Sequence, residues 1–397
     1  MSRSILFHVQ YLLGIGHLQR SLRIANALAR DGFAVTLASG GVPVAELMAD
    51  PSIRIVQLPP IRARDARFEL EDGAGRPVDD ALRGARRAAL LAAFAAARPD
   101  AVILEGFPFA RRAFRFELDP LIAAIGGVQP RPRLICSVRD IVTTRDDPAR
   151  LHEIVERVLR EFDAVLVHGD PALIPFEASF PAARDIADRL IYTGYVSPPA
   201  EPATETQAAG GGVVVSAGGG AAGRALLAAA LEARRQGCLA GLPWLLLAGT
   251  NLPEAEFAAL RRAAPPFVTI ERFRRDFAGL LRGCRVSVSQ AGYNTVLDIL
   301  AARARAVLVP FAAARETEQL MRAERLMALG AAELVRESEL TPRHLAAAIE
   351  RAAAREPPSL AIDTAGAIRS ARLIAALVAG RAAAELAGKM GKDMIGR

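Results

Sequence analysis

A glycine-rich turn followed by a histidine is the first segment of this chain that could carry out chemistry. Gly14-Ile15-Gly16-His17 follows a short apolar run and precedes a long segment with helical spacing of apolar residues. Glycines allow a tight turn between a strand and a helix, and a histidine at that position has a pKa suited to accepting a proton near neutral pH. His17 is therefore a candidate general base; a turn in which it only caps the helix is the alternative.

Glu105 is the acid that could act with this histidine. It ends another apolar run, and it could orient or polarise His17 if the two strands are neighbours. Because the remaining histidines have no partner at ligand spacing, we interpret them as structural or surface residues: His8, His152, His168 and His344.

A second glycine-rich segment begins the second half of the chain. Ser216-Ala-Gly218-Gly219-Gly220-Ala-Ala-Gly223 follows an apolar run and precedes a helical segment, so its N–H groups and the helix dipole could bind phosphate. The segment also fits the G-x-G-x-x-G pattern of dinucleotide sites, which needs an acid at the end of the next strand. That strand ends in Thr250-Asn251 instead, so phosphate binding is favoured over dinucleotide binding.

A third junction between a strand and a helix spans residues 289–298 and contains Ser289, Gly292, Asn294, Thr295 and Asp298. Thr295 and Asp298 are three residues apart and share one helix face. A carboxylate there could accept both hydroxyls of a ribose, although an acid that only stabilises the helix dipole is equally consistent.

Polar residues also follow the next strand, after Pro310-Phe311. Glu318 and Gln319 lie there. Because ligands of parallel sheets bind at the carboxyl ends of the strands, we expect all these segments to meet in one cleft.

Composition excludes several classes of protein. Of the 50 lysines and arginines only two are lysines, Lys389 and Lys392, so a P-loop lysine or a Schiff-base lysine in the core is excluded. The three cysteines are scattered, no metal-ligand spacing or D-x-D motif is found, and no G-x-S-x-G motif is present. Basic stretches lack aromatic platforms, which argues against nucleic-acid binding. We expect neither a metal nor a cofactor.

The order of elements predicts an α/β fold of two Rossmann-like parallel-sheet domains. Twelve short apolar runs alternate with helical segments, seven before residue 196 and five after residue 212. The segment between them is rich in Pro and Gly. We expect an N-terminal domain over 1–197, a linker over 198–212, a C-terminal domain over 213–362, and a single Ala-rich helix from Thr364 to about Leu386 within a final segment over 363–397.

Charge and hydropathy indicate the kind of ligand and the cellular location of this protein. The net charge is +7, and most of the excess lies after residue 197, which suits an anionic ligand. No uninterrupted apolar run is long enough to span a bilayer and no signal peptide is evident. We expect a cytoplasmic protein, with peripheral contact at the inner face of the membrane left open.

The three junctions, in this order and together with Pro310-Phe311, resemble glycosyltransferase family 28. That resemblance covers nearly the whole chain and implies the GT-B fold, in which the tail helix crosses back onto the first domain. It implies an inverting, metal-independent transfer of a hexosyl group from a nucleotide-diphosphate sugar, UDP-linked in this family, to an acceptor hydroxyl. The acceptor could be lipid-linked, a glycan or a small molecule.

The resemblance also implies roles for individual residues. His17 and Glu105 would be catalytic, Gly218, Gly219 and Gly220 would hold the diphosphate and Asp298 the ribose, and Phe273-Arg274 would contact the base. Glu318 and Gln319 match a pair that contacts the donor sugar, and the family has Gln where this chain has Glu318. The remaining donor-binding candidates are Gly16, Ser216, Ser289, Gly292, Asn294 and Thr295.

Departures from the family pattern indicate a divergent relative of its peptidoglycan-precursor N-acetylglucosaminyltransferase. The segment 107–112 does not match the acceptor loop of that enzyme. Two other functions stay open on the sequence alone: an epimerase or hydrolase of nucleotide-sugars, and a non-catalytic nucleotide-sugar-binding protein.

Overall fold

The computed structural model divides the chain into two compact units. The first comprises Met1–Pro198 and Asp363–Arg397, and the second comprises Pro199–Ile362. The structure describes residues 3–12, 14–44, 49–64, 69–142, 147–197, 211–218, 223–250, 252–274, 276–311, 318–360 and 362–388. Most of the expected linker and both lysines lie outside these ranges.

The first unit is built on a parallel sheet with helices packed against it. Its strands are β1 (Ser4–Val9), β2 (Ala34–Ser39), β3 (Arg54–Gln57), β4 (Ile61–Ala63), β5 (Leu70–Asp72), β6 (Ala101–Glu105), β7 (Arg133–Arg139), β8 (Ala164–His168) and β9 (Leu190–Tyr192). Seven of them form the sheet in the order β3-β2-β1-β6-β7-β8-β9, while β4 and β5 pair separately as an antiparallel ribbon that the sequence pattern does not reveal. The helices are α1 (Gly16–Arg30), α2 (Asp80–Ala97), α3 (Arg115–Gly126) and α4 (Pro148–Glu161).

Alternating residues of each central strand enter separate cores on the two faces of this sheet. On β1, Leu6 packs in one buried cluster, and Ile5 and Phe7 pack in the other. Because both faces are covered, the strand is continuously apolar, as parallel strands in α/β proteins are. The α/β fold expected from the apolar runs is confirmed.

The second unit repeats this architecture with its own sheet. Its strands are β10 (Val213–Ser216), β11 (Trp244–Leu247), β12 (Val268–Glu271), β13 (Val286–Ser289), β14 (Ala306–Leu308) and β15 (Glu333–Leu334), in the order β12-β11-β10-β13-β14-β15. Its helices are α5 (Arg224–Arg235), α6 (Glu254–Ala263), α7 (Phe277–Gly283), α8 (Tyr293–Ala301), α9 (Glu318–Ala328) and α10 (Pro342–Ala354). The two-residue β15 is too short to be predicted, whereas all twelve predicted apolar runs overlap strands.

The C-terminal part of the chain belongs to the first unit. Helix α11 (Gly366–Val378) packs with α1, and its Ile374 and Leu377 share a buried cluster with Leu18. The expected single helix from Thr364 to about Leu386 is wrong, because α11 ends at Val378 and helical structure resumes only at residues 383–388. Gly380 has φ +94°, a left-handed conformation typical of the residue after a helix end.

The helices of this protein differ in how their first turns are capped. Asp79, Asp147 and Thr341 are N-cap residues whose side chains accept hydrogen bonds from backbone N–H groups of α2, α4 and α10. In contrast, α1, α5 and α8 follow Ile15, Gly223 and Gly292, which carry no side-chain acceptor. The first-turn N–H groups of these three helices are therefore not capped by their own N-cap residue.

A fully buried ion pair joins several loops of the first unit. Arg86 donates to both carboxylate oxygens of Glu117 at 2.7 Å, and to Gln10, Gly40 and Pro59 through its remaining N–H groups. All five guanidinium donors are thus satisfied. Since its acceptors follow β1, β2 and β3, Arg86 fixes the carboxyl ends of three strands relative to α2 and α3.

We predict that breaking this pair will strongly destabilise the first unit. Arg86→Met leaves the Glu117 carboxylate buried without its cation, which should cost about 3–5 kcal/mol of unfolding free energy. Urea denaturation followed by circular dichroism measures the change. Arg83→Met is the control, because Arg83 pairs with the exposed Asp80 and its loss should cost less than about 1 kcal/mol. Equal effects of the two substitutions would contradict the prediction.

Candidate active site

The side chains of His17 and Glu105 meet at the carboxyl edge of the first sheet. Strand β1 pairs in parallel with β6, so the turn into α1 lies beside the residue that ends β6. His17 Nδ1 is 2.6 Å from Glu105 Oε1. The sequence predicted an interaction between His17 and Glu105 only if their strands were neighbours, and they are. Gly16, the first residue of α1, precedes His17 in this turn.

This contact determines which nitrogen of His17 is available for chemistry. An ionised carboxylate only accepts hydrogen bonds, so Nδ1 carries the proton and donates to Glu105. Nε2 then carries a lone pair, and it has no hydrogen-bond partner among the residues that the structure describes. His17 retains 26% of its side-chain exposure, whereas Glu105 is buried. A buried acid that orients a partly exposed imidazole is the arrangement of a general base.

Two arginines complete the surroundings of Glu105. Arg20 donates to Oε1 at 2.5 Å, and Arg111 lies 3.5 Å from Oε2. Burial raises the pKa of Glu105, but the hydrogen bond from His17 and the positive charges of Arg20 and Arg111 outweigh burial and hold that pKa well below its ordinary value. The carboxylate is therefore ionised at neutral pH.

The same surroundings keep His17 neutral. Burial lowers the pKa of His17 to about 4, because the lowering by desolvation and by the positive charges of Arg111 and Arg20 exceeds the raising by Glu105. A neutral imidazole at pH 7 is the form that can accept a proton.

Sequence reasoning identifies His17 and Glu105 but misses both arginines. Arg20 follows His17 by three residues on the same helix face, a spacing that could have revealed it. Arg111 carries no such signal, because the loop between Glu105 and Arg111 sets its position. His168, interpreted as structural, is fully buried, and its two ring nitrogens bond Ser137 and Thr193.

In the second unit, the two predicted nucleotide-binding junctions lie side by side. Ser216 and Ser289 are register partners at the carboxyl ends of β10 and β13. Gly218 follows with φ +66°, and a Cβ there would lie 2.9 Å from Gln290 Oε1. At Gly223, a Cβ would lie 2.1 Å from Ala217 Cβ, so only glycine fits between this strand end and α5. Gly219 and Gly220 lie outside the described residues.

The second junction places its polar residues on the first turns of α8. Gly292 is extended and leaves space around it, since the nearest atom to a Cβ there would be Thr295 Oγ1 at 3.9 Å. Asn294, Thr295 and Asp298 are half-buried on α8. They lie after β13, which is the neighbour of β10 in the sheet.

Gln319 and Glu318 occupy structural positions at the start of α9. The side-chain oxygen of Gln319 accepts hydrogen bonds from the backbone N–H groups of Ala291 and Phe311, both at 3.1 Å. Glu318 is buried and pairs with Arg322, which also donates to the carbonyl of Ala291. The two residues therefore join the loops after β13 and β14, and their contact with a donor sugar stays a prediction.

Phe273 and Arg274 follow β12, the edge strand two positions from β10. Phe273 is 62% exposed. Arg274 donates twice to Asp276, and these hydrogen bonds raise its pKa above the ordinary value. Adjacent parallel strands are about 4.8 Å apart, so the ends of β12 and β10 are separated by roughly 10 Å.

We predict that the bridging oxygen of Gln319 stabilises the second unit. Gln319→Met leaves two backbone N–H groups without their acceptor and should lower the unfolding free energy by about 1–3 kcal/mol. Gln319→Glu is the matched control, because a carboxylate still accepts both bonds. Urea denaturation measures both variants, and a Met variant as stable as the Glu variant would refute this bridge.

Neither a membrane span nor a metal cluster is found in the part of the chain that the structure describes. No helix there is both long and apolar enough to span a membrane. Among the same described residues, no group of three or more His, Cys, Asp or Glu side chains is arranged to hold a metal ion.

Comparisons with known proteins agree with this architecture. Residues 213–377 match the model of the glycosyltransferase family 28 C-terminal domain. The UDP-N-acetylglucosamine–N-acetylmuramyl-(pentapeptide) pyrophosphoryl-undecaprenol N-acetylglucosamine transferase of Phenylobacterium zucineum is 26% identical over 345 residues, which cover 85% of this chain and 86% of that protein.

Solved structures show the same fold at lower identity. The calicheamicin glycosyltransferase CalG4 aligns with a TM-score of 0.60 and 18% identity, over 100% of this chain and 99% of CalG4. MurG of Acinetobacter baumannii aligns with a TM-score of 0.56 and 17% identity, over 94% of this chain and 99% of MurG. The chain is therefore a glycosyltransferase of the GT-B fold that is similar to family 28.

Proposed function

We propose that this enzyme transfers a hexosyl group from a nucleoside-diphosphate sugar to an acceptor hydroxyl, with inversion and without a metal ion. The observation that carries the proposal is the pair of His17 and Glu105, with Nδ1 bonded to the acid and Nε2 left with its lone pair. Such a pair removes a proton from a hydroxyl, which is the step that an inverting transfer requires of the protein.

In the proposed reaction, His17 Nε2 accepts the proton of the acceptor hydroxyl while its oxygen attacks the anomeric carbon. The bond from that carbon to the phosphate oxygen breaks, and its electron pair leaves with the nucleoside diphosphate. Glu105 keeps the proton of His17 on Nδ1 and stabilises the imidazolium that forms. One displacement at the anomeric carbon inverts its configuration.

The second unit would bind the donor. The N–H groups at the start of α5, which Gly223 cannot cap with a side chain, would meet the negative charge of the leaving diphosphate in place of a metal, together with the glycines at 218–220. Asp298 would accept the ribose hydroxyls, and Phe273-Arg274 would contact the base. The other donor-binding candidates surround the same strand ends: Ser216, Ser289, Gly292, Asn294 and Thr295.

The name of the Phenylobacterium zucineum relative supports a UDP-linked donor for this chain as well. The acceptor in that name is a pyrophosphoryl lipid. If the acceptor here is also lipid-linked, the enzyme would work in the cytoplasm, attached peripherally at the inner face of the membrane.

We predict that His17→Gln lowers kcat by about 10²–10⁴-fold, because it removes the proton acceptor. The assay follows nucleoside diphosphate release from a panel of UDP-sugars, with and without lipid, glycan and small-molecule acceptors. His152→Gln is the control, since His152 is an exposed helix residue. Release that does not require an acceptor would instead indicate a hydrolase.

The pH profile gives an independent check on the same residue. The pKa of His17 is lowered to about 4, so the neutral base should persist from pH 8 down to about pH 5. The value of kcat/KM should fall only as pH decreases through about 4, and His17→Gln should abolish this dependence. A profile that is unchanged in His17→Gln would show that another group is the base.

We predict that Asp298→Asn weakens donor binding without removing the base. Loss of a charged hydrogen-bond acceptor for ribose should raise the donor KM by about 10–100-fold, with a smaller change in kcat. Glu232→Gln on α5 is the control, because Glu232 pairs with Arg235 on the surface. Binding of UDP, measured by calorimetry, should weaken by the same factor; an unchanged affinity would remove Asp298 from the donor site.

A further inference from the structure

Arg111 is a nearly buried guanidinium placed beside the catalytic pair. Its side chain is only 11% exposed, and within the described part of the chain its one ion-pair contact is Glu105 Oε2 at 3.5 Å. Its Nε is buried and has no hydrogen-bond partner among the described residues. A guanidinium has five N–H donors, so the described residues leave most of the hydrogen-bonding capacity of Arg111 unused.

Glu105 does not serve as a dedicated partner for Arg111. Its other oxygen receives hydrogen bonds from both His17 and Arg20 at short distance, whereas 3.5 Å is longer than most N–H···O bonds. Burial lowers the pKa of Arg111, Glu105 opposes this effect, and the nearby charge of Arg139 adds to it. The surroundings of Arg111 therefore destabilise its positive charge.

The backbone of Arg111 is also unfavourable. It has φ +63°, a left-handed conformation that costs free energy in a residue with a side chain. The preceding loop begins with Gly106 at φ +79°, whose carbonyl accepts from the N–H of Ala110 at 2.7 Å. Backbone strain and a poorly paired charge therefore occur at the same residue, which contacts Glu105. Such strain is found at ligand-binding sites.

We propose that Arg111 binds a carboxylate of the acceptor, next to the hydroxyl that His17 deprotonates. This inference rests on the proposed function and names the class of its acceptor. A carboxylate fits because it accepts two parallel N–H bonds from one guanidinium and carries a single negative charge. A phosphate dianion would place a second negative charge beside Glu105. The contact with the acceptor makes Arg111 a specificity residue, and the carboxylate is unchanged by the reaction.

The test uses the full chain saturated with UDP and labelled with ¹³C at histidine Cε1. The His17 signal, assigned by its loss in His17→Gln, is followed by NMR at pH 7.5 during titration with benzoate, phenyl phosphate or benzyl alcohol. Benzoate should shift the signal saturably and benzyl alcohol should not. Arg111→Met should weaken benzoate binding by about 10–100-fold, whereas Arg112→Met, at the exposed neighbour, should not.

Three results would overturn the inference: no saturable response to benzoate, an equal response to benzyl alcohol, or an Arg111→Met affinity equal to that of wild type. Tighter binding of phenyl phosphate than of benzoate would overturn the assignment of a carboxylate. The benzoate titration is therefore repeated without UDP, and a UDP titration is run separately: a response to benzoate through Arg111 with no binding of UDP would keep the anion site and refute the donor part of the proposed function. The two failures are therefore distinguishable.

Discussion

The parallel pairing of β1 with β6 is the constraint on which the contact between His17 and Glu105 depends. The two strands end at the same edge of the sheet, so the turn after β1 and the last residue of β6 lie close together although 88 residues separate His17 from Glu105. A shift of one residue in this register would turn the Glu105 side chain to the other face of the sheet. The buried clusters on both faces oppose such a shift, because it would move each apolar strand residue out of the cluster in which it packs.

The buried pair of Arg86 and Glu117 extends this constraint from the strands to the loops. Gln10, which receives one of the Arg86 hydrogen bonds, lies between the end of β1 and the turn that carries His17. A Cβ at Gly40 would lie 2.2 Å from the Gln10 side chain and 2.6 Å from a terminal nitrogen of Arg86, so the site admits only glycine. Such close packing limits how far the start of α1 can move, and a general base works only when its distance to the hydroxyl is held.

Several helix starts can be identified from the sequence by their N-cap residues or by their glycines. An acid or threonine at the N-cap is readable from sequence, and Asp79, Asp147 and Thr341 mark helices whose starts need no ligand. Glycine-rich starts are readable as well, which is why the segments at His17, Gly218 and Gly292 stand out in the sequence alone. The parallel strands were predictable because burial on both faces makes them continuously apolar.

Other features were not readable, because they depend on tertiary contacts rather than on local pattern. The ribbon of β4 and β5 is short, so its residues show no clear alternation. The position of Arg111 depends on the conformation of one loop, and the pairing of Glu318 with Arg322 requires the start of α9 to be buried. The single C-terminal helix was a wrong prediction, since helix propensity in an Ala-rich segment does not indicate where Gly380 adopts φ +94°.

Arginine is the cation of the buried ion pairs in this architecture. In the described part of the chain, three buried arginines pair with glutamates near strand ends: Arg86 with Glu117, Arg20 with Glu105, and Arg322 with Glu318. In two of these pairs the same guanidinium also donates to backbone carbonyls of the loops, which a single ammonium group cannot do in several fixed directions. Arg111 departs from this pattern, because it shares a glutamate that Arg20 already holds. The fold thus places two arginines around one carboxylate beside His17, and the proposed acceptor anion would balance the second positive charge.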